Sequence, residues 1–216
     1  ARQIGQIRTK LEEFIFRYKD YLNDHDYKFL DRSVDVLDPY SYFYLTFKIH
    51  KIPMTTRPII SVCGSLLHGL GQWLDKRLQP IAASQPSYIS SSAALLDCLH
   101  NRGSYFVPGT RFFTADAISM YTNLETEHGL TAVAYMIRRF HHEDHPALPK
   151  RIIQALNLVM RNTVFKFDDT FWEQLVGTAM GCPPAPTYAN LYFACHENNR
   201  ILTKYAKYLS FYKHYI

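Results

Sequence analysis

The spacing of hydrophobic and polar positions changes period several times along the chain. Over residues 2–22, Ile4, Ile7, Leu11, Phe14, Ile15 and Tyr18 recur three or four apart among charged neighbours, which predicts an amphipathic helix. After turn-rich residues 35–39, the run YFYLTFKI at 42–49 is aromatic and β-favouring, and RPIISV at 57–62 predicts a second strand. Helical period returns at 65–79 through Leu66, Leu70, Trp73, Leu74 and Leu78, with Pro80 expected to end it. A shorter helix is predicted over 91–100, and RFFTADAI at 111–118 reads as a buried strand closing on an acid. Residues 127–140 and 149–161 fit two amphipathic helices. TVFKF and FWEQLV flank Asp168-Asp169-Thr170, a hairpin with turn residues between its strands. Residues 185–203 look helical with prolines in the first turn, and the closing YLSFYKHYI is strand-like. The order predicts an α+β fold, a sheet with helices on one face.

Composition narrows the class. The 216 residues are 47% hydrophobic and 20% charged, ample for a core without staples and unlike a disordered, collagenous or disulfide-scaffold chain. No apolar run approaches the ~18–20 residues of a membrane span, so no membrane partner is expected. The charged first residues contain no signal-peptide core. The formal charge of +5 permits a nucleic-acid partner without requiring one. Its distribution says more: Lys48, Lys51 and Arg57 sit in a stretch without a carboxylate, as do Arg200, Lys204, Lys207 and Lys213. Cys63, Cys98, Cys182 and Cys195 form no CxxC pair and read as buried small hydrophobes of a reducing compartment, without a disulfide partner. HHEDH at 141–145 has zinc-ligand residue types. It lies between two helical patterns, just before Pro146 and Pro149, and reads as a solvated loop.

Four segments carry the chemistry: KIHKIPMTTRPIIS (48–61), TADAISMYTNL (114–124), QLVGTAMGCPPAPTYANLY (174–192) and FYKHYI (211–216). In type, order and separation they resemble the motifs of reverse transcriptases, those of Penelope-like retroelements in particular, over residues 40–216. The resemblance implies a polymerase right hand with an antiparallel palm sheet backed by helices. Residues 1–40 would be a helical extension, 41–110 fingers, and 111–216 a palm that stops before the Y-x-D-D motif and the thumb. It implies RNA-directed DNA synthesis, with an RNA template, a DNA primer and dNTP as partners and Mg²⁺ as cofactor. The oligomeric state stays open. Such a protein works inside the cell, and in the nucleus of a eukaryotic host.

The candidate site follows from what nucleotidyl transfer requires. Two Mg²⁺ ions activate the primer hydroxyl and neutralise the triphosphate, and each takes only one or two carboxylates. Asp116 is the expected catalytic and metal-binding carboxylate. Tyr121, five residues on, corresponds to the bulky side chain that excludes a 2′-hydroxyl. Arg57 is the preferred triphosphate ligand because a guanidinium forks two phosphate oxygens, with Lys48 and Lys51 assisting or holding template. Phe47 stands where the family has Pro, and His50 reads as structural. In GTAMG, Gly177 and Gly181 allow close backbone approach to a ligand, Met180 would pack on the nascent base pair, and Gln174 is a weaker binding candidate.

Tyr215-Ile216 reproduces the first two letters of Y-x-D-D, where the sequence stops, so the isolated 216 residues are expected to be inactive. A non-catalytic palm-like module that binds nucleic acid or protein is the alternative of another class. A telomerase-like or domesticated reverse transcriptase would keep the chemistry and change the biology.

Overall fold

A computed structural model describes residues 2–102 and 106–215. The chain opens with α1 (Arg2–Tyr18), whose buried Ile7, Leu11, Phe14, Ile15 and Tyr18 form a single stripe. A short helix, α2 (Asp24–Arg32), follows; its cap is Asn23, whose side chain accepts the Asp26 amide at 2.8 Å. Strands β1 (Ser41–Lys48) and β2 (Thr55–Ser61) make an antiparallel hairpin. The chain then runs through α3 (His68–Ala83), α4 (Ser92–Arg102), the short α5 (Met120–Asn123), α6 (Thr126–Phe140) and α7 (Ala147–Arg161). A second hairpin pairs β3 (Val164–Phe167) with β4 (Thr170–Glu173), turning at Asp168 with φ of 54°. After GTAMG come α8 (Ala185–His196), one π-helical turn over Glu197–Ile201, and α9 (Leu202–Lys204).

Helices build most of the core. One apolar cluster joins Leu11 and Phe14 of α1, Leu70 and Trp73 of α3, Ile137 of α6, Leu156 of α7, and Ala189 and Leu191 of α8. It runs through all three stretches that the sequence suggested. At roughly 1.5–3 kcal/mol for each large side chain fully buried, this cluster is the main source of cohesion. The sheet, ordered β2-β1-β3-β4, adds only Ser41, Ile60 and Val164 to the buried residues. Among the described residues no helix is long and apolar enough to cross a membrane.

The α+β class holds, and several expectations are corrected. The sheet is mixed, not antiparallel: β1 pairs with β3 in parallel through Ser41–Phe165 and Tyr42–Lys166. The long helical connection from β2 to β3 brings the chain back beside β1 in the same direction. Residues 111–118 are exposed and form no strand, because no neighbouring strand offers them a ladder among the described residues. Pro80 does not end α3, since buried Ile81 and Ala82 continue its packed face. The closing aromatic segment contributes one isolated bridge, Tyr88 to His214. Cys63 is exposed, whereas Cys182 and Cys195 are buried; burial pushes the Cys182 thiol up to about 12.

Candidate functional site

The loop 174–184 is the joint of the molecule. Gly177 has φ of +83°, and a Cβ there would lie 2.5 Å from the Tyr121 carbonyl oxygen. The Gly177 amide donates to Leu124 O at 2.9 Å, and the Thr178 amide to Tyr121 O at 2.8 Å. Four residues later Gly181, at φ of +119°, passes so close to β2 that a Cβ would sit 2.7 Å from Ile60 O. The Ile60 amide donates to Met180 O at 2.9 Å. Glycine is needed at both positions for the same two reasons, a left-handed backbone and a neighbouring chain in van der Waals contact. GTAMG is thereby clamped between RPIIS and MYTNL.

The fourth segment is tied to the third by side chains. Glu197, 4% exposed, accepts from Ser87 Oγ at 2.6 Å, Tyr212 OH at 2.8 Å and His214 Nδ1 at 2.7 Å. The other ring nitrogen of His214 lies 2.9 Å from Asn190 Oδ1, within the YANL run of α8. The backbone completes the joint, with His214 N donating to Ser87 O and Ile89 N to His214 O. Burial alone would raise the Glu197 carboxyl, but the hydrogen bonds from His214, Ser87 and Tyr212 together outweigh it and hold the carboxyl below its ordinary value. Burial, and then the bond to Glu197, push the Tyr212 phenol up.

The individual candidates distribute as follows. Tyr121 is half-buried against the core; burial raises its phenol, and the positive charge of Arg57 partly opposes that rise, so the two side chains share one neighbourhood. Arg57 is exposed on β2 opposite Thr46, and Lys48 ends β1 opposite Thr55. Lys51 is exposed in the turn between those strands. Met180 is partly buried and uses its carbonyl on β2. Gln174 folds back so that Nε2 donates to Val176 O at 3.1 Å, while its Oε1 is sealed without a partner among the described residues. Asp116 is exposed on the irregular stretch before α5.

Mg²⁺ sets a test for these residues. A two-ion centre needs more than one carboxylate, and the described residues contain no group of three or more His, Cys, Asp or Glu side chains placed to hold a metal. Asp116 alone does not make up such a centre. In the 141–145 loop, His141 pairs with Asp144 and His145 stacks on Tyr21.

Sequence reading missed the Glu197 cluster. A carboxylate just after the apolar helical run 191–195, with a His between Tyr212 and Tyr215 further on, was the available signal. No family model, curated protein or solved structure matches the chain.

Proposed function

We propose that the chain is the fingers and palm portion of an RNA-directed DNA polymerase of the Penelope-like retroelement type, working on an RNA template and a DNA primer. One observation carries this reading. Four segments spread over residues 48–216 are joined in space through Ile60–Met180, Tyr121–Thr178 and Asn190–His214 contacts. In this reading Arg57, with Lys48 and Lys51 on the same hairpin, receives the triphosphate. Tyr121 walls the sugar pocket, Met180 packs on the base pair, and Asp116 is the carboxylate this chain brings to catalysis. The substrate places the work where DNA is kept, the nucleus of a eukaryotic host.

The test is primer extension on an RNA template with Mg²⁺ and dNTPs, by the natural protein that carries these residues. Asp116→Asn should abolish extension while leaving template–primer binding intact. Tyr121→Ala should admit ribonucleotides. The 216-residue chain alone should bind an RNA–DNA hybrid without extending it, and joint replacement of Lys48, Lys51 and Arg57 by Gln should weaken that binding. Absence of extension by the natural protein would overturn the polymerase reading. Hybrid binding without extension by the natural protein would favour the non-catalytic module.

A further inference from the structure

Away from the four motifs, α2 and α3 open a cleft of about 490 Å³. Lys28, Phe29 and Arg32 present one stripe of α2 to it, and His68 lines it from the first turn of α3. The helices cross tightly beside the cleft, where a Cβ on Gly69 would run into the Ser33 side chain. Lys28 and Arg32 are exposed, and neither is in an ion pair among the described residues. His25, also on the rim, lies 3.7 Å from Asp26. Asp31 precedes Arg32 by one position and therefore falls off the stripe.

Two further observations point to an anion. His68 Nδ1 accepts the Gly64 amide at 3.3 Å, which leaves Nε2 as a hydrogen-bond donor. Ser65 is 4% exposed and lines the cleft, where its hydroxyl is a further donor. Leu67 supplies no side-chain cap to α3, so the positive end of that helix adds to the field at the same opening.

We propose that this cleft binds a phosphate group. Arg32 forks two of its oxygens, Lys28 balances the charge, and His68 Nε2 and the Ser65 hydroxyl donate to the remainder. The Phe29 ring gives the organic part of the ligand an apolar wall. A free nucleotide or the phosphates of a nucleic acid could each supply the group. The site uses none of the motif residues and does not rest on the polymerase reading.

The experiment is calorimetric titration of the 216-residue chain with inorganic phosphate, 5′-AMP, adenosine, and a short oligonucleotide with and without a 5′-phosphate. Phosphate and 5′-AMP should bind and adenosine should not. Arg32→Gln should weaken 5′-AMP about tenfold and Ser65→Ala roughly threefold. Arg138→Gln, which removes the same charge from α6, should change nothing. Oligonucleotide binding that needs the 5′-phosphate identifies a terminal phosphate as the ligand, and binding without it identifies the backbone. Failure of both inorganic phosphate and 5′-AMP to bind, or equal effects of Arg32→Gln and Arg138→Gln, would overturn the proposal.

Discussion

At the scale of single residues, glycines separate conformational need from mere smallness. Gly177 combines φ of +83° with a carbonyl 2.5 Å from where a Cβ would stand. Gly177→Ala must therefore strain the loop and push Tyr121 aside, at a cost of about 1–3 kcal/mol. Gly5 lies inside α1, with nothing within 4 Å of its added Cβ. Gly5→Ala should stabilise by about 0.5–1 kcal/mol, because alanine loses less backbone entropy in a helix. Thermal melts of the two variants should move in opposite directions from the parent. A harmless Gly177→Ala would show that the clamp between GTAMG and MYTNL is looser than its geometry.

At the scale of elements, the buried carboxylate at the end of α8 decides how the closing segment is held. Removing the charge by Glu197→Gln leaves Ser87, Tyr212 and His214 competing for a weaker acceptor, at about 2–3 kcal/mol near neutral pH. The sign of the pH effect follows from the lowered carboxyl. In the unfolded chain Glu197 returns to the ordinary value, so its contribution is full above that value. It disappears as pH falls through the lower, folded one. The parent should thus lose more stability than Glu197→Gln on acidification from neutral into the carboxylate range, measured by urea unfolding at each pH. Equal acid slopes would mean that the carboxylate is not what anchors the segment. Amide exchange at Ile89 and His214 should quicken in the variant, since both lie on the same joint.

The same elements show what was legible beforehand. Helices α1, α6 and α7 were readable because each carries a continuous apolar stripe whose period needs no partner to be seen. The two hairpins were readable from local turn chemistry and β-favouring runs. The stretch 111–118 was misread because strand character is a property of pairs, and its apolar Phe112, Phe113 and Ile118 stay exposed. Within the candidate site, the order of the motifs was visible but the contacts between them were not. Gly177 meeting Tyr121, or Glu197 meeting His214, depends on how helices cross, which one-dimensional spacing does not encode. The α2–α3 cleft was missed for the same reason, since Ser65 and His68 come beside Lys28 and Arg32 only where Gly69 lets the helices close.

At the scale of the whole molecule, burial is divided unequally between helices and sheet, and this should make unfolding uneven. The two tryptophans sample the two parts. Trp73 is 1% exposed, meets Phe14 edge-on at 6.1 Å and lies beneath the Arg77 guanidinium, at the centre of the helical core. Trp172 is 55% exposed on β4, a strand with every residue exposed, at the outer edge of the sheet. That hairpin is fastened to the rest by the short parallel pairing of β3 with β1, by Val164, and by Phe43 against Phe165 and Phe167 and Tyr40 against Phe171. Regions with few buried apolar contacts open at lower free energy than the global transition. With both tryptophans replaced by 5-fluorotryptophan, the chain should give two ¹⁹F resonances, assigned by their loss in Trp172→Phe and Trp73→Phe. On titration with urea the Trp172 resonance should reach its unfolded position first, while Trp73 stays native-like. Coincident midpoints would show instead that the sheet and the helical core unfold as one unit. The loop 174–184, bonded at one end to β2 and at the other to α5, would then be strong enough to couple them.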